Sequence, residues 1–158
     1  MPEATPSSPA QLVLAFDFGL RRIGVACGDT LSRTASTLNI VPAGPAGPRW
    51  EILSSLISDW QPALLVVGVP YSVDGSQNAM TRAARSFANQ LRLRYSLTVH
   101  MVDERYSSLE AAARLKEARE SGLRKRRVAK TDIDAAAACV ILERWFIEKV
   151  EANAITTR

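Results

Sequence analysis

The segment Leu64-Leu65-Val66-Val67-Gly68-Val69 constrains the fold more than any other part of the sequence. Its apolar residues run without polar alternation, which is typical of a strand that helices cover on both faces. The stretch before it carries apolar residues at helical spacing, namely Trp50, Leu53, Leu56, Ile57 and Trp60. The two segments therefore predict a helix that leads into a buried strand, as in a layered α/β protein.

The same alternation of helix and strand repeats further along the chain. Apolar residues at helical spacing predict a second helix between residues 80 and 95, and residues 97–102 predict another strand. Strands that are joined through a helix usually pair in parallel, so these two strands should lie parallel in one sheet. Two more helices are predicted, near residues 107–117 and 132–149.

The first part of the chain predicts antiparallel strands instead. Residues 12–18 and 23–26 are apolar, and the short link between them suits a hairpin. A third strand is predicted at residues 34–41, and residues 42–48 should form a loop because three prolines and two glycines cannot continue a ladder. The predicted fold class is α/β: a mixed five-stranded sheet, an antiparallel meander followed by parallel strands, flanked by helices. This is the arrangement of the ribonuclease H-like fold.

Length and composition limit the class of protein. The 158 residues suffice for one domain, which we place at residues 11–150, between a disordered lead-in at 1–10 and a tail at 151–158. The net charge of +4 and the pI of about 9.4 favour a polyanionic partner. The sequence has no apolar stretch long enough to span a bilayer and no secretory signal, and its two cysteines are far apart. We expect a soluble, cytoplasmic protein with reduced thiols and no membrane partner.

Four carboxylates stand at the ends of apolar segments. Asp17 lies in the first strand, Asp103 and Glu104 follow the strand at 97–102, and Asp134 lies near the start of the last helix. A charge at the edge of a core loses hydration unless a cation, a partner charge or several donors replace the water. Simpler explanations are a turn for Asp17, a surface salt bridge for Asp103 and Glu104, and a helix cap for Asp134.

If the fold gathers these carboxylates, they form a site for Mg²⁺ or Mn²⁺, because hard divalent ions prefer oxygen ligands. His100 is the only histidine, so neither a zinc site nor a Ser-His-Asp triad is supported. Basic residues suited to holding the phosphates of a nucleic acid occur at several points: Arg21, Arg22, Arg82, Arg105 and Lys130.

Four segments together resemble the YqgF (RuvX-like) family. They are DFGLRRIGVA at residues 17–26, VGVP with DGS at residues 67–76, DERYSS at residues 103–108, and the segment that begins DAAA at residue 134. The members of this family are bacterial relatives of the Holliday junction resolvase RuvC, described as resolvases and as nucleases that mature the precursor of small-subunit ribosomal RNA. The resemblance implies a ribonuclease H-like fold with catalytic acids at Asp17, Glu104 and Asp134, and with Asp103 as a further metal ligand.

From this resemblance we predict a hydrolase, a metal-dependent endonuclease that processes the 5′ end of precursor 16S ribosomal RNA in ribosome biogenesis. Asp17 would bridge two Mg²⁺ or Mn²⁺ ions, while Glu104 and Asp134 each complete one coordination sphere. The expected partners are a structured RNA precursor and ribosomal particles. The expected state is a monomer or a weak homodimer.

Three alternatives stay open at this point. One is a Holliday junction resolvase that acts on branched DNA in recombination and repair. Another is a non-catalytic RNA-binding assembly factor that uses only the basic face. The third is an ATPase of the actin and sugar-kinase type, because Asp17-Phe18-Gly19 with the following arginines also resembles that phosphate loop, although one domain is too small to enclose ATP.

Overall fold

The secondary structure follows the recurrence of apolar residues along the chain. The computed structural model describes residues 10–104 and 130–156 and, in the last helix, the side chains of residues 136–149. Its elements in chain order are β1 (Leu12–Asp17), β2 (Arg22–Asp29), β3 (Ala35–Gly44), β4 (Gly47–Pro48), α1 (Trp50–Trp60), β5 (Leu64–Val69), α2 (Ala79–Tyr95), β6 (Thr98–Asp103) and α3 (Lys130–Thr156).

The strands form one mixed sheet in the order β4-β3-β2-β1-β5-β6. Strand β1 is antiparallel to β2 and parallel to β5, and β5 is parallel to β6. Strands β3 and β4 continue the antiparallel part. The predicted α/β fold, with a meander followed by parallel strands that helices connect, is therefore confirmed.

Two details of the sequence prediction are wrong, the count of five strands and the loop at residues 42–48. Strand β3 continues to Gly44, and a tight turn leads into the short strand β4, which makes the sheet six-stranded. Proline lacks only the backbone donor, and the carbonyl of Pro42 still accepts a hydrogen bond from the Arg49 amide at 3.1 Å. Gly47 has a φ of +99°, a conformation that glycine adopts without strain.

Each face of the sheet packs against its own helices. In β1, Leu14 and Phe16 join the core beneath α1 and α2, whereas Val13 and Ala15 join the core beneath α3. All six residues of β5 are buried, as the uninterrupted apolar segment predicts. The protein is therefore a three-layer α/β/α structure in which β1 and β5 form the middle.

Helix α3 runs antiparallel to β1. Its residue Ile141 lies against Gly68, which pairs with Asp17 at the end of β1. Its residue Phe146 lies against Gly28, which pairs with the beginning of β1. The turns that precede Ile141 therefore extend toward the end of the sheet that carries Asp17.

The last helix runs beyond the predicted Lys149, to Thr156. Residues 1–9 and the helix predicted near residues 107–117 lie outside the described residues. Within the part of the chain that the structure describes, no helix is long and apolar enough to cross a membrane.

Candidate metal and nucleic-acid site

Asp17 is the last residue of a central strand. Strand β1 pairs with β2 on one side and with β5 on the other, so its backbone is held from both sides. Side chains alternate between the faces of a strand, and Val13 and Ala15 face α3. Asp17 continues this series and falls on the α3 face, at the end of the sheet where parallel strands present their carboxyl ends.

Glu104 reaches the same place from the edge of the sheet. It directly follows β6, and its amide donates to the Val69 carbonyl at 3.1 Å, which continues the β5–β6 ladder by one residue. Val102 is buried beneath α3, so alternation assigns Glu104 to the face that also carries Asp17.

Gly68 leaves the space in which these two carboxyl groups meet. It lies on β5 between them, paired with Asp17 on β1 and with Val102 on β6. A Cβ atom at this position would lie 2.7 Å from Oε2 of Glu104 and would overlap the side chain of Ile141. The absence of a side chain at residue 68 is therefore a condition for the observed position of Glu104.

Asp17 and Glu104 lie so close together that each disfavours the ionisation of the other. Burial, the negative charge of Asp17 and a hydrogen bond with the Asp17 side chain together raise the pKa of Glu104 to about 10. The positive charge of Arg144 acts in the opposite direction, and Asp103 adds to the repulsion. In the absence of a cation, Glu104 therefore keeps its proton at neutral pH and shares it with Asp17.

Asp103 lies next to the pair but on the opposite side of the strand. Alternation along β6 assigns it to the face of α1 and α2, whereas Glu104 faces α3. Its carbonyl oxygen accepts a hydrogen bond from Nη1 of Arg144 at 3.0 Å. Asp103 therefore contributes charge to the site, and its role as a direct metal ligand stays a prediction.

Asp134 lies in the first turns of α3, whose side chains are outside the described part of that helix. It precedes Ala138 by about one turn and Ile141 by about two turns, and both of these residues are buried against the sheet. The direction of α3 brings its first turns toward the end of β1 that carries Asp17. Whether the Asp134 side chain joins Asp17 and Glu104 stays a prediction.

The basic residues predicted to hold phosphates fall in different places. Arg21 lies in the tight turn after Asp17 and Arg22 begins β2, and a Cβ on Gly19 in that turn would be 2.5 Å from the Arg22 carbonyl. Arg82 is exposed in the first turn of α2, and this end of the helix is tied to the end of β5 by a hydrogen bond from Thr81 to the Pro70 carbonyl.

Arg105 and the side chain of Lys130 lie outside the described residues. His100 packs against Trp145 with ring centroids 5.6 Å apart, as expected for a packed residue. Among the side chains that the structure describes, which do not include that of Asp134, no three carboxylates, histidines or cysteines lie close enough to form a metal site.

Sequence reasoning missed Gly68 and Arg144. The apolar pattern predicts for Gly68 only a place in a buried strand, although a glycine inside an otherwise apolar strand often marks a close approach by another group. Arg144 lies on the last helix and reaches the end of a strand that is distant in the sequence. No local pattern announces such a contact.

Solved structures with the same architecture include resolvases. Thermus thermophilus RuvC, solved in complex with a Holliday junction substrate, matches with a TM-score of 0.53 and 16% identity, covering 89% of this chain and 96% of that chain. The yeast mitochondrial Holliday junction resolvase matches with a TM-score of 0.50 and 11% identity, over 90% of this chain and 80% of that one. At these identities the likeness establishes the fold, which confirms the ribonuclease H-like prediction.

Sequence comparison gives a closer relationship. A protein of Xylella fastidiosa (strain M23) named "Putative pre-16S rRNA nuclease" is 43% identical over 155 residues, which cover 98% of this chain and 99% of that protein. A protein of the same name from Legionella pneumophila (strain Paris) is 44% identical over 137 residues, covering 87% and 96% of the two chains. The family model described as "RuvX: Holliday junction resolvase" matches residues 11–148. The chain therefore belongs to the RuvX family.

Proposed function

We propose that the chain is a metal-dependent endonuclease that hydrolyses nucleic-acid phosphodiesters, with Asp17, Glu104 and Asp134 as its catalytic acids. The observation that carries the proposal is the meeting of Asp17 and Glu104 above Gly68. Placing Glu104 at a buried position beside Asp17 costs folding free energy, because Glu104 cannot ionise there without repelling the Asp17 charge. A site that receives a cation gives this arrangement a purpose, because the cation removes the repulsion.

The donor set fits Mg²⁺ or Mn²⁺. The groups that meet are carboxylates, and these ions prefer oxygen ligands over the thiolate and imidazole groups that zinc selects. The raised pKa of Glu104 means that a cation must displace a proton as it binds, which makes binding depend on pH. Asp103 adds negative charge beside the site. When bound, divalent ions supply Lewis-acid activation of water and neutralise charge on the scissile phosphate.

The protein's own residues bind and orient the substrate. Asp17 provides a fixed position because two neighbouring strands hold its backbone. Basic side chains from the β1–β2 turn, from the start of β2 and from α2 hold the phosphates of the substrate. We assign this role to Arg21, Arg22 and Arg82, and extend it to Arg105 and Lys130.

The substrate we propose is precursor 16S ribosomal RNA, cut near its 5′ end. The names of relatives that are 43% and 44% identical over most of this chain support this choice. Maturation of this RNA is a step in ribosome biogenesis, so we place the protein in the cytoplasm, acting on ribosomal particles or their free RNA, as a monomer or a weak homodimer.

The second candidate is cleavage of four-way DNA junctions. The description of the matching family model supports it, and the fold is shared with RuvC. A resolvase makes two symmetric cuts, so this candidate requires a stable dimer. The two candidates therefore differ in oligomeric state as well as in substrate.

The test is Asp17→Asn, with Asp59→Asn as the matched control, because Asp59 is an exposed carboxylate on α1. Precursor 16S RNA and a four-way DNA junction are each incubated with Mg²⁺ and with Mn²⁺, and the products are mapped. We expect Asp17→Asn to lose at least about a hundredfold in cleavage rate, since one preorganised charge at a reacting centre contributes that much. Asp59→Asn should cleave at the wild-type rate.

Thermal unfolding of both variants checks that the fold is intact. Cleavage by Asp17→Asn at the wild-type rate would overturn the metal-site assignment. RNA binding that persists in EDTA, without cleavage under either metal, would favour the non-catalytic assembly factor.

A further inference from the structure

A groove runs between helix α2 and strand β6, on the face of the sheet opposite Asp17 and Glu104. One part of it has a volume of about 200 Å³ and is lined by Arg85, Ala88, Asn89, Arg92, Val99 and Met101. A second part of about 520 Å³ continues from Arg92 and Val99 toward Ser96 and Thr98. The two parts share Arg92 and Val99, so they form one continuous surface, which we name the α2–β6 groove.

The helical wall of this groove is basic. Helix α2 contains four arginines, at positions 82, 85, 92 and 94, and no acidic residue. Arg85, Asn89 and Arg92 follow one another at helical spacing along the groove. Within the described residues, none of the α2 arginines forms an ion pair with a carboxylate. The positive charge of this wall therefore lacks compensation from that part of the protein.

The floor of the groove is apolar and partly open to solvent. Met101 on β6 is 49% exposed, and Leu93 on the helical wall of the second part adds an apolar side chain that is 65% exposed. Cationic side chains beside exposed apolar groups are the combination that binds single-stranded nucleic acid, since the cations hold phosphates while the apolar surface contacts unstacked bases. An apolar ligand would leave the arginines unused, and a simple anion would leave the floor unused.

The groove connects with the carboxyl ends of the strands. The Arg85 guanidinium donates from Nη1 to the Tyr71 hydroxyl at 3.2 Å, and Tyr71 lies just after the carboxyl end of β5. Met101 precedes Glu104 by three residues, which is about 10 Å along an extended strand. A chain that leaves the acidic site can therefore pass over the end of β5 and enter the groove beside Arg85.

We propose that the α2–β6 groove binds a single-stranded segment of the polynucleotide that flanks the cleavage position. Arg85 and Arg92 are seven residues apart on the helix, about 10 Å, which corresponds to roughly three stacked nucleotides. Their guanidinium groups hold phosphates, and the bases face Val99 and Met101. This assignment rests on the proposed nuclease function and adds to it a preference for substrates with an unpaired extension.

The experiment measures binding apart from cleavage. Wild-type protein, the double variant Arg85→Gln/Arg92→Gln and the control Arg94→Gln are titrated in EDTA against three labelled probes. These are an RNA stem with an unpaired extension, the same stem without it, and a DNA version of the first. Arg94 is on the same helix but stacks over Trp50, 3.8 Å from the ring centroid, so its substitution removes an equal kind of charge outside the groove.

The double variant should bind the extended RNA roughly tenfold more weakly at 0.1 M salt. Its dependence of log affinity on log salt should fall by about 1.4, or 0.7 for each of two phosphates. The blunt stem should bind equally to all three proteins, and so should the extended stem to wild type and Arg94→Gln. A loss on the DNA probe equal to that on the RNA shows that the groove reads the backbone alone, while a loss confined to RNA shows contact with the 2′-hydroxyl.

An unchanged affinity for the extended probes would overturn the proposal. So would an equal loss from Arg94→Gln, because that result reflects net charge, or an equal loss on the blunt stem. If the double variant changes only self-association, measured by sedimentation, the groove holds a second copy of the chain and the proposal is wrong. Failure of the nuclease function is a separate result, since it appears as absence of cleavage by wild-type protein whatever the probes bind.

Discussion

The two faces of the sheet end differently at the carboxyl edge. On the face beneath α1 and α2, apolar packing continues to the edge, where Phe18 stacks on Phe87 with ring centroids 4.9 Å apart. On the face beneath α3, packing stops at Asp17 and Gly68, and Glu104 fills the space that a side chain would take. One face therefore gives stability along its whole length, whereas the other gives up packing at its end to bring two carboxyl groups together.

Removing Phe87 tests the stabilising face and should have the largest effect. Its ring is 2% exposed and lies against those of Phe16, Phe18 and Trp50. Phe87→Ala should lower the free energy of unfolding by about 3–5 kcal/mol, because a large buried ring leaves a cavity. Urea denaturation measures the loss, and Phe87→Leu, which keeps more of the volume, should lose less.

Cleavage per folded molecule should be unchanged by Phe87→Ala, since this face does not carry the acids. A loss of cleavage as large as that of Asp17→Asn in a folded Phe87→Ala protein would show that the two faces are not separable.

Adding one methyl group tests the other face. Gly68→Ala should destabilise the fold by about 1–3 kcal/mol, because the new Cβ collides with Ile141 and with the Glu104 carboxyl. The cleavage rate of the folded protein should fall by much more than this loss of stability explains, since the displaced carboxyl group of Glu104 is one of the proposed catalytic acids. The measurement is the cleavage rate of folded protein, with stability from urea denaturation beside it.

Gly44→Ala is the matched control for this substitution, because a Cβ on Gly44 meets no atom within 4 Å. If Gly68→Ala retained wild-type cleavage, the space above residue 68 would have no catalytic importance.

Glu104→Gln should have the smallest effect on stability and the opposite sign. Glu104 has a folded-state pKa of about 10, against a usual value near 4.5, so the unfolded chain loses this proton first as pH rises. The protonated Glu104 contributes its full share to the free energy of unfolding below pH 4.5, and this contribution is lost progressively as pH rises toward 10. In EDTA at pH 8, Glu104→Gln should therefore be more stable than wild type by about 1–2 kcal/mol.

The measurement is the melting temperature of the metal-free protein as a function of pH. Wild-type protein should lose stability between pH 5 and 8, and Glu104→Gln should lose less over the same interval. Glu148→Gln, which removes an exposed carboxylate from α3, serves as the control and should follow wild type. Parallel curves for all three proteins would mean that Glu104 ionises freely in the fold.

Much of the fold could be predicted because its signals are local. The apolar segment at residues 64–69 and the helical spacing from Trp50 to Trp60 coincide with β5 and α1. The loop predicted at residues 42–48 is wrong because proline removes only a backbone donor, whereas the pairing there uses a carbonyl group that proline retains. A proline interrupts a strand only where the neighbouring strand would accept a hydrogen bond from the missing amide. A single sequence does not show on which side of the proline that neighbouring strand lies.

The candidate site divides in the same way. The meeting of Asp17 and Glu104 could be predicted, because Asp17 lies in one strand and Glu104 follows another, and the carboxyl ends of parallel strands share an edge of the sheet. The importance of Gly68 depends on the register between three strands and on the side chain of Ile141. Residues that lie far apart in the sequence decide such contacts, so local patterns contain no sign of them.

The two acids belong to strands at different positions in the sheet. Asp17 belongs to β1, which pairs on both sides, whereas Glu104 continues β6, which ends the strand order within the described residues. Backbone at the centre of a sheet opens only with the whole domain, while an edge opens by local fluctuations of lower free energy. Local opening of β6 therefore separates Glu104 from Asp17 before β1 opens. A ligand that binds against β6 prolongs the time during which the two carboxyl groups stay in contact.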